Sequence, residues 1–423
     1  MHSDACDYYL GHRLKLIVLQ SAYPYKTLCE RNLLDFATAK DLDGFFDTVY
    51  TVHAAATVEF DINSRERYGK LATYIHSPTH IFIEAKFGRY WHLRRLPSLN
   101  FIFTQISLIF HMLKLTWREK DLLIRAEDPR YNGLLGFLLT RVKRLPFIVG
   151  SWGNPDTIRK YTSLPLQPRV FRSVRLEASC ERFLIERADC ILVQNEDNFN
   201  YAVLYGAKKE NIKYFRLGNA LYSGHFEEPE RRTPPPEDRV KIKHEDYKVC
   251  TISRLEKLKM VDHALESFAS MRNLENSQLY IFGDGSERNS LMNLGNKLGI
   301  GARIHFLGNV DQETVARTLP QMDLVLSPSM GRALTEVALA GLPIVAYDTD
   351  CHPEIVKTSK TGILVRYLDI PAMAKAGDFM LDQRGEAKRM GEAVRKFTMD
   401  LMNPKNLVKE QRLIFSDLVR RKN

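Results

Sequence analysis

The chain has few cysteines for its length, and none has the spacing of a metal site. Six cysteines are spread over 423 residues without a CxxC or CxxH pair. Zinc sites and disulfide frameworks both depend on clustered cysteines, so the sequence argues against either one. A reducing, cytoplasmic setting is the expectation that follows.

No signal peptide is expected, and the sequence has no long unbroken apolar run. The first apolar segment, residues 14–19, is short and contains Lys15, so it predicts a buried strand. The most apolar stretch, residues 99–115, carries six polar side chains and therefore predicts a core helix and not a membrane span. No internal repeat or low-complexity array is visible.

The charge is biased towards the basic side. A formal net charge of +10 and a pI near 9.2 favour an acidic partner, such as a phosphorylated ligand, an anionic membrane surface or nucleic acid. Mildly basic globular proteins without such a partner are the alternative. Nucleic-acid binding is the least favoured class, because no recognised module appears and the charge is not gathered on one segment.

Short apolar strands alternate with helical stretches along most of the chain, which predicts α/β domains with parallel sheets covered by helices. The segment 227–248 interrupts this pattern with four prolines and dense charge, as expected of an exposed linker. We therefore predict an N-terminal Rossmann-like domain at 1–226 and a C-terminal one at 249–399. A last helix, within about 400–423, is expected to pack back onto the first domain.

Glycines follow three strands of the second domain, at 283–285, 308–310 and 329–331. Ligands of parallel sheets bind beyond the carboxyl ends of the strands, and glycine there lets a phosphate or a base approach the backbone. Arg254 and Lys259 flank the start of a helix in the same domain and suit a diphosphate. Two solvated surface cations are the alternative interpretation.

Several ordered motifs of the second domain resemble the donor-binding domain of retaining glycosyltransferases of family 4, which have the GT-B fold. The motifs are Arg254-Leu255 followed by Lys259, GDG from 283, FLGNV at 306–310, SPS after Asp323, and EVALAGLPIVA from Glu336. The resemblance implies two such domains facing a cleft, with the nucleotide sugar bound to the second and the acceptor to the first.

The resemblance also implies roles for matching residues. Arg254 and Lys259 would hold the diphosphate, and Glu336 would accept hydrogen bonds from the ribose hydroxyls; an ion pair with Arg332 is the alternative for this carboxylate. The remaining predicted donor contacts are backbone groups near Gly283 and Val310 at the base, and the amides of Met330, Gly331 and Arg332 at the diphosphate and sugar.

The sequence departs from the family at three places. Pro328 stands where a sugar-contacting Glu is usual, so Arg332 is a candidate substitute. The loop at 21–26 has no Gly-Gly pair, and Trp152 stands near the usual acceptor-site His. Our acceptor candidates are Trp152 and Asn154, with Asp128 and Tyr131 at the preceding strand end. A capped helix start with Trp152 packed in the core is the equal alternative.

No metal or cofactor is expected. The DTD sequence at 348–350 resembles a metal-binding DxD, but we interpret it as a strand-end turn, with Glu354 in the following loop as a sugar contact. Residues 86–96 mix four Arg or Lys with aromatic side chains, which favours either an anionic membrane interface or a solvated loop.

The function implied by the resemblance is metal-independent transfer of a sugar, with retained configuration, from a nucleotide sugar to a glycan, lipid-linked or small-molecule acceptor. In that scheme the departing phosphate oxygen helps to take the acceptor proton. The expected location is cytoplasmic, at the inner face of the membrane if the basic segment binds lipid. The alternatives are a catalytically silent binding or scaffold protein and a nucleotide-sugar epimerase on the same fold.

Overall fold

The computed structural model describes residues 14–30, 33–54, 65–168, 170–233, 242 and 246–422. The chain divides into two compact units. The first unit comprises Met1–Ala220 and Pro404–Asn423, and the second comprises Leu221–Asn403.

The first unit is built on an eight-stranded sheet in the order β3-β4-β2-β1-β5-β6-β7-β8. All strands run parallel except the edge strand β3, which pairs antiparallel with β4. The central strands are buried on both faces, which is why their sequences are continuous apolar runs. The strands are β1 (Lys15–Gln20), β2 (Thr48–His53), β3 (Ala72–Ser77), β4 (His80–Glu84), β5 (Leu122–Ala126), β6 (Phe147–Ser151), β7 (Cys190–Val193) and β8 (Ile212–Tyr214).

Helices connect these strands. Among the described residues up to Ala220 they are α1 (Tyr25–Glu30), α2 (Leu34–Thr38), α3 (Pro97–Thr116), α4 (Tyr131–Lys143), α5 (Pro155–Thr162), α6 (Val174–Glu186) and α7 (Glu196–Leu204). Because these strands are parallel, the loops that follow β1, β5 and β6 all lie at the same edge of the sheet.

The second unit has a six-stranded parallel sheet in the order β11-β10-β9-β12-β13-β14. Counted within the unit this order is 3-2-1-4-5-6, the Rossmann arrangement, whose switch point lies between the first and fourth strands. The strands are β9 (Tyr247–Ile252), β10 (Ser277–Phe282), β11 (Ile304–Gly308), β12 (Leu324–Ser327), β13 (Ile344–Tyr347) and β14 (Ile363–Val365). The helices are α8 (Val261–Ala269), α9 (Arg288–Lys297), α10 (Gln312–Thr318), α11 (Arg332–Leu339), α12 (His352–Ile355), α13 (Ile370–Asp382) and α14 (Arg384–Leu401).

The C-terminal helix α15 (Pro404–Lys422) belongs to the first unit. Its Phe415 is fully buried and meets Phe46 and Phe215 edge-on, with ring centroids 5.2 and 5.7 Å apart. Arg412 donates to the carbonyl oxygen of Leu42. The predicted fold class, two α/β domains with parallel sheets and a C-terminal helix, is confirmed.

The boundary between the units differs from the predicted linker at 227–248. Residues 221–233 belong to the second unit. The buried guanidinium of Arg232 helps to hold them there, because two of the four carbonyl oxygens to which it donates lie elsewhere in that unit. Much of the rest of the predicted linker, 234–241 and 243–245, lies outside the described residues. The four acceptors are His225, Glu227, Ala316 and Leu339.

The prediction of a core helix at 99–115 is correct for one face of the helix only. Helix α3 contributes Leu108 and Met112 to a core cluster, but only a third of its most apolar window is buried. By length and composition alone, α3 is the one helix within the described ranges that could cross a membrane.

Candidate functional site

The candidate donor site lies at the carboxyl ends of β9 and β12, the switch point of the second sheet. Lys259 ends a short 3-10 turn after β9, and Gly331 precedes α11 after β12. The Lys259 ammonium lies 4.0 Å from the position that a Cβ on Gly331 would occupy. The structure therefore brings together two predicted donor contacts from different loops, the Lys259 ammonium and the backbone of Gly331. An ammonium beside a helix N-terminus is a suitable environment for a phosphate.

In the same unit, glycines let the backbones of the loops after β9, β10 and β11 pack directly against one another. Gly283 has φ +126°, and its N–H donates to the carbonyl oxygen of Gly308 at 2.8 Å. A Cβ on Gly283 would lie 1.9 Å from the Ser253 carbonyl oxygen, and one on Gly285 would lie 2.4 Å from that of Leu255. No other residue fits at either position without moving the backbone. The glycines predicted to admit a ligand thus also shape the site itself.

A buried histidine, which the sequence reasoning missed, organises the loop after β12. The Nδ1 of His352 lies 2.9 Å from the carbonyl oxygen of Tyr347, which can only accept, so this nitrogen carries the proton. The unprotonated Nε2 then accepts from the Ser327 hydroxyl at 3.0 Å and from the Met330 N–H at 3.3 Å. Burial lowers the pKa of His352 to about 4. The neutral ring therefore ties the ends of β12 and β13 together.

The contacts of His352 change the role expected for Met330. Met330 is almost fully buried, and its amide is engaged by His352, which differs from the ligand-facing role predicted for it. Gly331 and Arg332, at the start of α11, are the remaining backbone candidates on that loop. The signal for His352 is the CHPE sequence after β13, which also contains the predicted sugar contact Glu354.

Glu336 lies inside a buried polar chain. Its carboxylate is 3.3 Å from the Arg332 Nε, so the ion pair considered as the alternative is present. Burial raises the pKa of Glu336, and Arg332 together with a hydrogen bond from Gln312 counteracts this rise. Gln312 in turn lies 3.3 Å from the Nε2 of the buried His225. The carboxylate is thus held in a fixed position, and its role towards ribose stays a prediction.

The other donor candidates lie on loops of the same unit. Arg254 follows β9 and is well exposed, with an Nη1 to Oε1 distance of 2.8 Å to Glu256. Val310 follows β11 and packs beside a core cluster, and Glu354 is half-buried in α12. Among the described residues, no group of three His, Cys, Asp or Glu side chains could hold a metal ion. The segment 348–350 forms a turn after β13, in which the Thr349 N–H donates to the Tyr347 carbonyl oxygen.

In the first unit, Asp128 organises the loop after β5. Its Oδ1 accepts from the Arg130 N–H at 3.0 Å, and its Oδ2 accepts from the Asn132 amide at 2.5 Å. The same amide nitrogen lies 2.5 Å from the hydroxyl oxygen of Ser21, at the end of β1. The Asn132 amide, held by the Asp128 carboxylate, therefore joins the loops after β1 and β5.

The two candidates after β6 adopt the capped arrangement. The Asn154 side chain accepts from the Asp156 N–H at 3.1 Å as the cap of α5. Trp152 packs against the core cluster that contains Phe215, with ring centroids 6.1 Å apart. Tyr131 begins α4, is partly buried, and its N–H donates to Gln167. Acceptor binding by these residues stays a prediction.

Residues 236–397 match the family model described as "Glycosyl transferases group 1". The match covers most of the second unit, including the loops that carry Lys259, Gly283, Gly331 and Glu336.

Curated relatives match part of the chain. N-acetyl-alpha-D-glucosaminyl L-malate synthase from Bacillus anthracis is 28% identical over 173 residues, which cover 40% of this chain and 45% of that protein. Alpha-D-kanosaminyltransferase from Streptomyces kanamyceticus is 23% identical over 268 residues, 60% of this chain and 66% of that protein. The first of these matches thus spans less than half of the relative.

Solved structures match nearly the whole chain. A sucrose-phosphate synthase from Thermosynechococcus elongatus has a TM-score of 0.72 at 17% identity, covering 97% of this chain and 100% of that one. HepE from Anabaena, in complex with UDP and glucose, has a TM-score of 0.67 at 16% identity, covering 96% and 100%. At these identities the likeness shows the fold, which is GT-B.

Proposed function

We propose that this protein is a retaining glycosyltransferase that transfers a sugar from a nucleoside diphosphate sugar to a glycan, lipid-linked or small-molecule acceptor. The observation that carries the proposal is the Lys259 ammonium held against Gly331 at the switch point of a group 1 domain. A cation and a helix N-terminus converge there from two loops, where a diphosphate would sit.

The chemistry follows from where charge develops. When the bond between sugar and diphosphate breaks, negative charge grows on the leaving phosphate oxygens, and preorganised cations and amides stabilise it. Lys259 and the backbone at Gly331 supply this stabilisation, and Arg254 joins them once its exposed guanidinium leaves Glu256. A metal ion is then not required, and metal independence is part of the proposal.

The binding of the nucleoside follows from the rest of the site. Glu336, fixed by Arg332 and Gln312, accepts hydrogen bonds from the ribose hydroxyls in the proposed complex. The narrow glycine loops at Gly283 and Gly308 border the base. The complex of HepE with UDP and glucose supports a uridine nucleotide as the first ligand to test.

One observation favours a second candidate, a binding protein without transferase activity. Pro328 occupies the position where the resembled family carries a sugar-contacting Glu, and a proline offers no side-chain hydrogen bond. The same loop presents Arg332, which is partly exposed and already paired with Glu336. The two candidates share nucleotide binding and differ in turnover.

A product assay separates them. The full chain is incubated with UDP-glucose, UDP-N-acetylglucosamine or GDP-mannose and a panel of acceptors, with and without EDTA, and products are read by NMR. The proposal expects an α-linked product from these α-linked donors, unaffected by EDTA. Binding without turnover would establish the silent protein, and an altered donor without acceptor would establish an epimerase. A β-linked product or EDTA-sensitive transfer would contradict the mechanism.

A further inference from the structure

Helix α3 of the first unit carries apolar side chains on its outward face as well as on its inward face. The side chains that face the protein include Leu108 and Met112, which join a core cluster, and three buried polar residues, Asn100, Thr104 and Gln105. The side chains that face outward are large and apolar. They are Leu99 at 43% exposure, Ile102 at 51%, Phe103 at 38%, Ile106 at 44% and Phe110 at 68%.

The outward apolar residues form one continuous stripe. Their spacing of three or four residues places them on a single face, which Trp117, 76% exposed, extends beyond the C-terminal end of the helix. Isolated exposed apolar side chains are normal on a protein surface, but a contiguous stripe marks an interaction site. We call the stripe Leu99, Ile102, Phe103, Ile106, Phe110 and Trp117 the α3 face.

The polar side chains explain why the helix is anchored in this orientation. Gln105 donates from Nε2 to the carbonyl oxygen of Ala54 at 2.9 Å. Asn100 accepts from the Tyr90 N–H at 2.9 Å and donates to the Tyr90 carbonyl oxygen at 2.6 Å. Turning the helix over, or extracting it to span a bilayer, would break these buried hydrogen bonds, and each unsatisfied group would carry a desolvation cost.

Cations border the α3 face at both ends. Residues 86–118 contain six Lys or Arg and no Asp or Glu. Arg94 and Arg95 are exposed immediately before the helix, and Lys114 and Arg118 are exposed at its end. Because Asn100 bonds to Tyr90, the basic segment 86–96 is attached to the N-terminal turn of the helix.

We propose that the α3 face docks on an anionic lipid bilayer, with the helix lying in the plane of the interface. Apolar side chains enter the acyl boundary while flanking cations contact anionic headgroups, as in interfacial helices. Exposed Tyr90 and Trp117 near the two ends have the amphipathic rings that favour the headgroup level. Pairing with a second copy fits less well, because this acid-free stretch would place cations against cations.

Vesicle co-sedimentation of the full chain tests the docking. Wild type is expected to bind vesicles of phosphatidylcholine with phosphatidylglycerol, and to bind pure phosphatidylcholine vesicles at least tenfold more weakly. Its binding to the anionic vesicles should weaken as the salt concentration is raised. The Ile102→Ser/Phe110→Ser variant should bind the anionic vesicles at least tenfold more weakly. Its control, Leu204→Ser/Phe397→Ser, also alters two exposed apolar side chains and should bind like wild type.

A charge variant tests the cationic border separately. The Arg94→Gln/Arg95→Gln variant should bind the anionic vesicles roughly tenfold more weakly or worse, since each basic residue near an anionic surface raises the affinity about fivefold. The Lys208→Gln/Lys209→Gln variant removes two neighbouring exposed cations elsewhere in the same unit and is its control. UDP binding should be the same in all variants, so failure of docking is distinguishable from failure of the proposed transferase function.

Three results would overturn the docking proposal. The first is equal binding of wild type to neutral and anionic vesicles, or no binding to either. The second is unchanged vesicle binding by the Ile102→Ser/Phe110→Ser variant. The third is a wild-type dimer in light scattering that this variant converts to a monomer without any vesicle binding, which would assign the α3 face to self-association.

Discussion

Replacing His352 with alanine should destabilise the second unit and leave the first unit intact. The substitution removes a hydrogen-bond partner from three buried groups, namely the Tyr347 carbonyl, the Ser327 hydroxyl and the Met330 N–H. A buried polar group left unsatisfied costs about 1–3 kcal/mol. The Tyr347 carbonyl still accepts from the Thr349 N–H, and the Ser327 hydroxyl can rotate towards another acceptor, so we expect a loss of about 2–4 kcal/mol.

The three tryptophans allow the two units to be followed separately. Trp91, Trp117 and Trp152 all belong to the first unit, so indole fluorescence reports on that unit alone. In urea, the far-UV circular dichroism of the His352→Ala variant should show an earlier transition, while the fluorescence transition stays in place. Hydrogen exchange at the Met330 amide should accelerate.

The His352→Gln variant serves as the conservative comparison. Its amide can donate to the Tyr347 carbonyl and can accept from one of the two other groups, so it should recover part of the lost stability. A His352→Ala variant within about 1 kcal/mol of wild type, less than the cost of one orphaned group, would refute the role of the ring. An unchanged exchange rate at Met330 would refute it equally.

Two further predictions concern pH and the glycine loops. Burial lowers the pKa of both His352 and His225 from 6.5 to about 4, so the unfolded chain takes up protons first, and stability is lost as the pH falls from 6.5 towards 4. Urea titrations that follow the second unit should show a loss of about 2 kcal/mol per histidine between pH 7 and 5, and about half of this two-histidine slope should vanish in His352→Gln. Burial also lowers the pKa of His53 to about 4, but this residue belongs to the first unit. A flat profile would contradict the prediction. Gly283→Ala should lose at least about 2 kcal/mol, because its Cβ would overlap the Ser253 carbonyl oxygen at a positive φ. The methyl of Gly331→Ala has room, but the Gly331 ψ of −116° lies outside the regions that other residues favour, so this variant should lose less stability than Gly283→Ala without matching wild type. Calorimetry should show at least a roughly tenfold loss of UDP affinity as the methyl blocks the diphosphate, and the opposite pattern for the two variants would exclude this site.

The sequence predicted the parallel strands well because they are buried on both faces. Residues 48–53 and 147–150, for example, fall within a strand of the structure. The sequence did not predict the edge strand β3, which pairs with only one other strand. None of its residues is buried, and its apolar residue Ile75 is 75% exposed. Apolar periodicity alone does not identify such a strand.

Neither the orientation of α3 nor the contacts of His352 could be predicted from the sequence, and the reason is the same for both. Both depend on hydrogen bonds between residues far apart in the chain, such as Gln105 to Ala54 across 51 positions and His352 to Ser327 across 25. A pattern rule assumes that apolar side chains face inward, and it fails where polar side chains find buried partners. The close approach of Lys259 to Gly331 likewise results from the sheet order, which brings together loops whose residues lie 72 positions apart. The motifs themselves do not specify this approach.

Calorimetric titration of UDP into wild type, Lys259→Ala and Lys257→Ala tests the central claim most directly. Both lysines belong to the same 3-10 turn, but Lys257 is exposed and Lys259 is the one beside Gly331. Loss of a charged hydrogen bond to the diphosphate, about 1.5–3 kcal/mol, predicts that Lys259→Ala binds roughly ten- to a hundredfold more weakly. Lys257→Ala should stay within about twofold of wild type, as expected for a surface cation. Equal affinities for all three proteins would contradict the placement of a nucleoside diphosphate at this site.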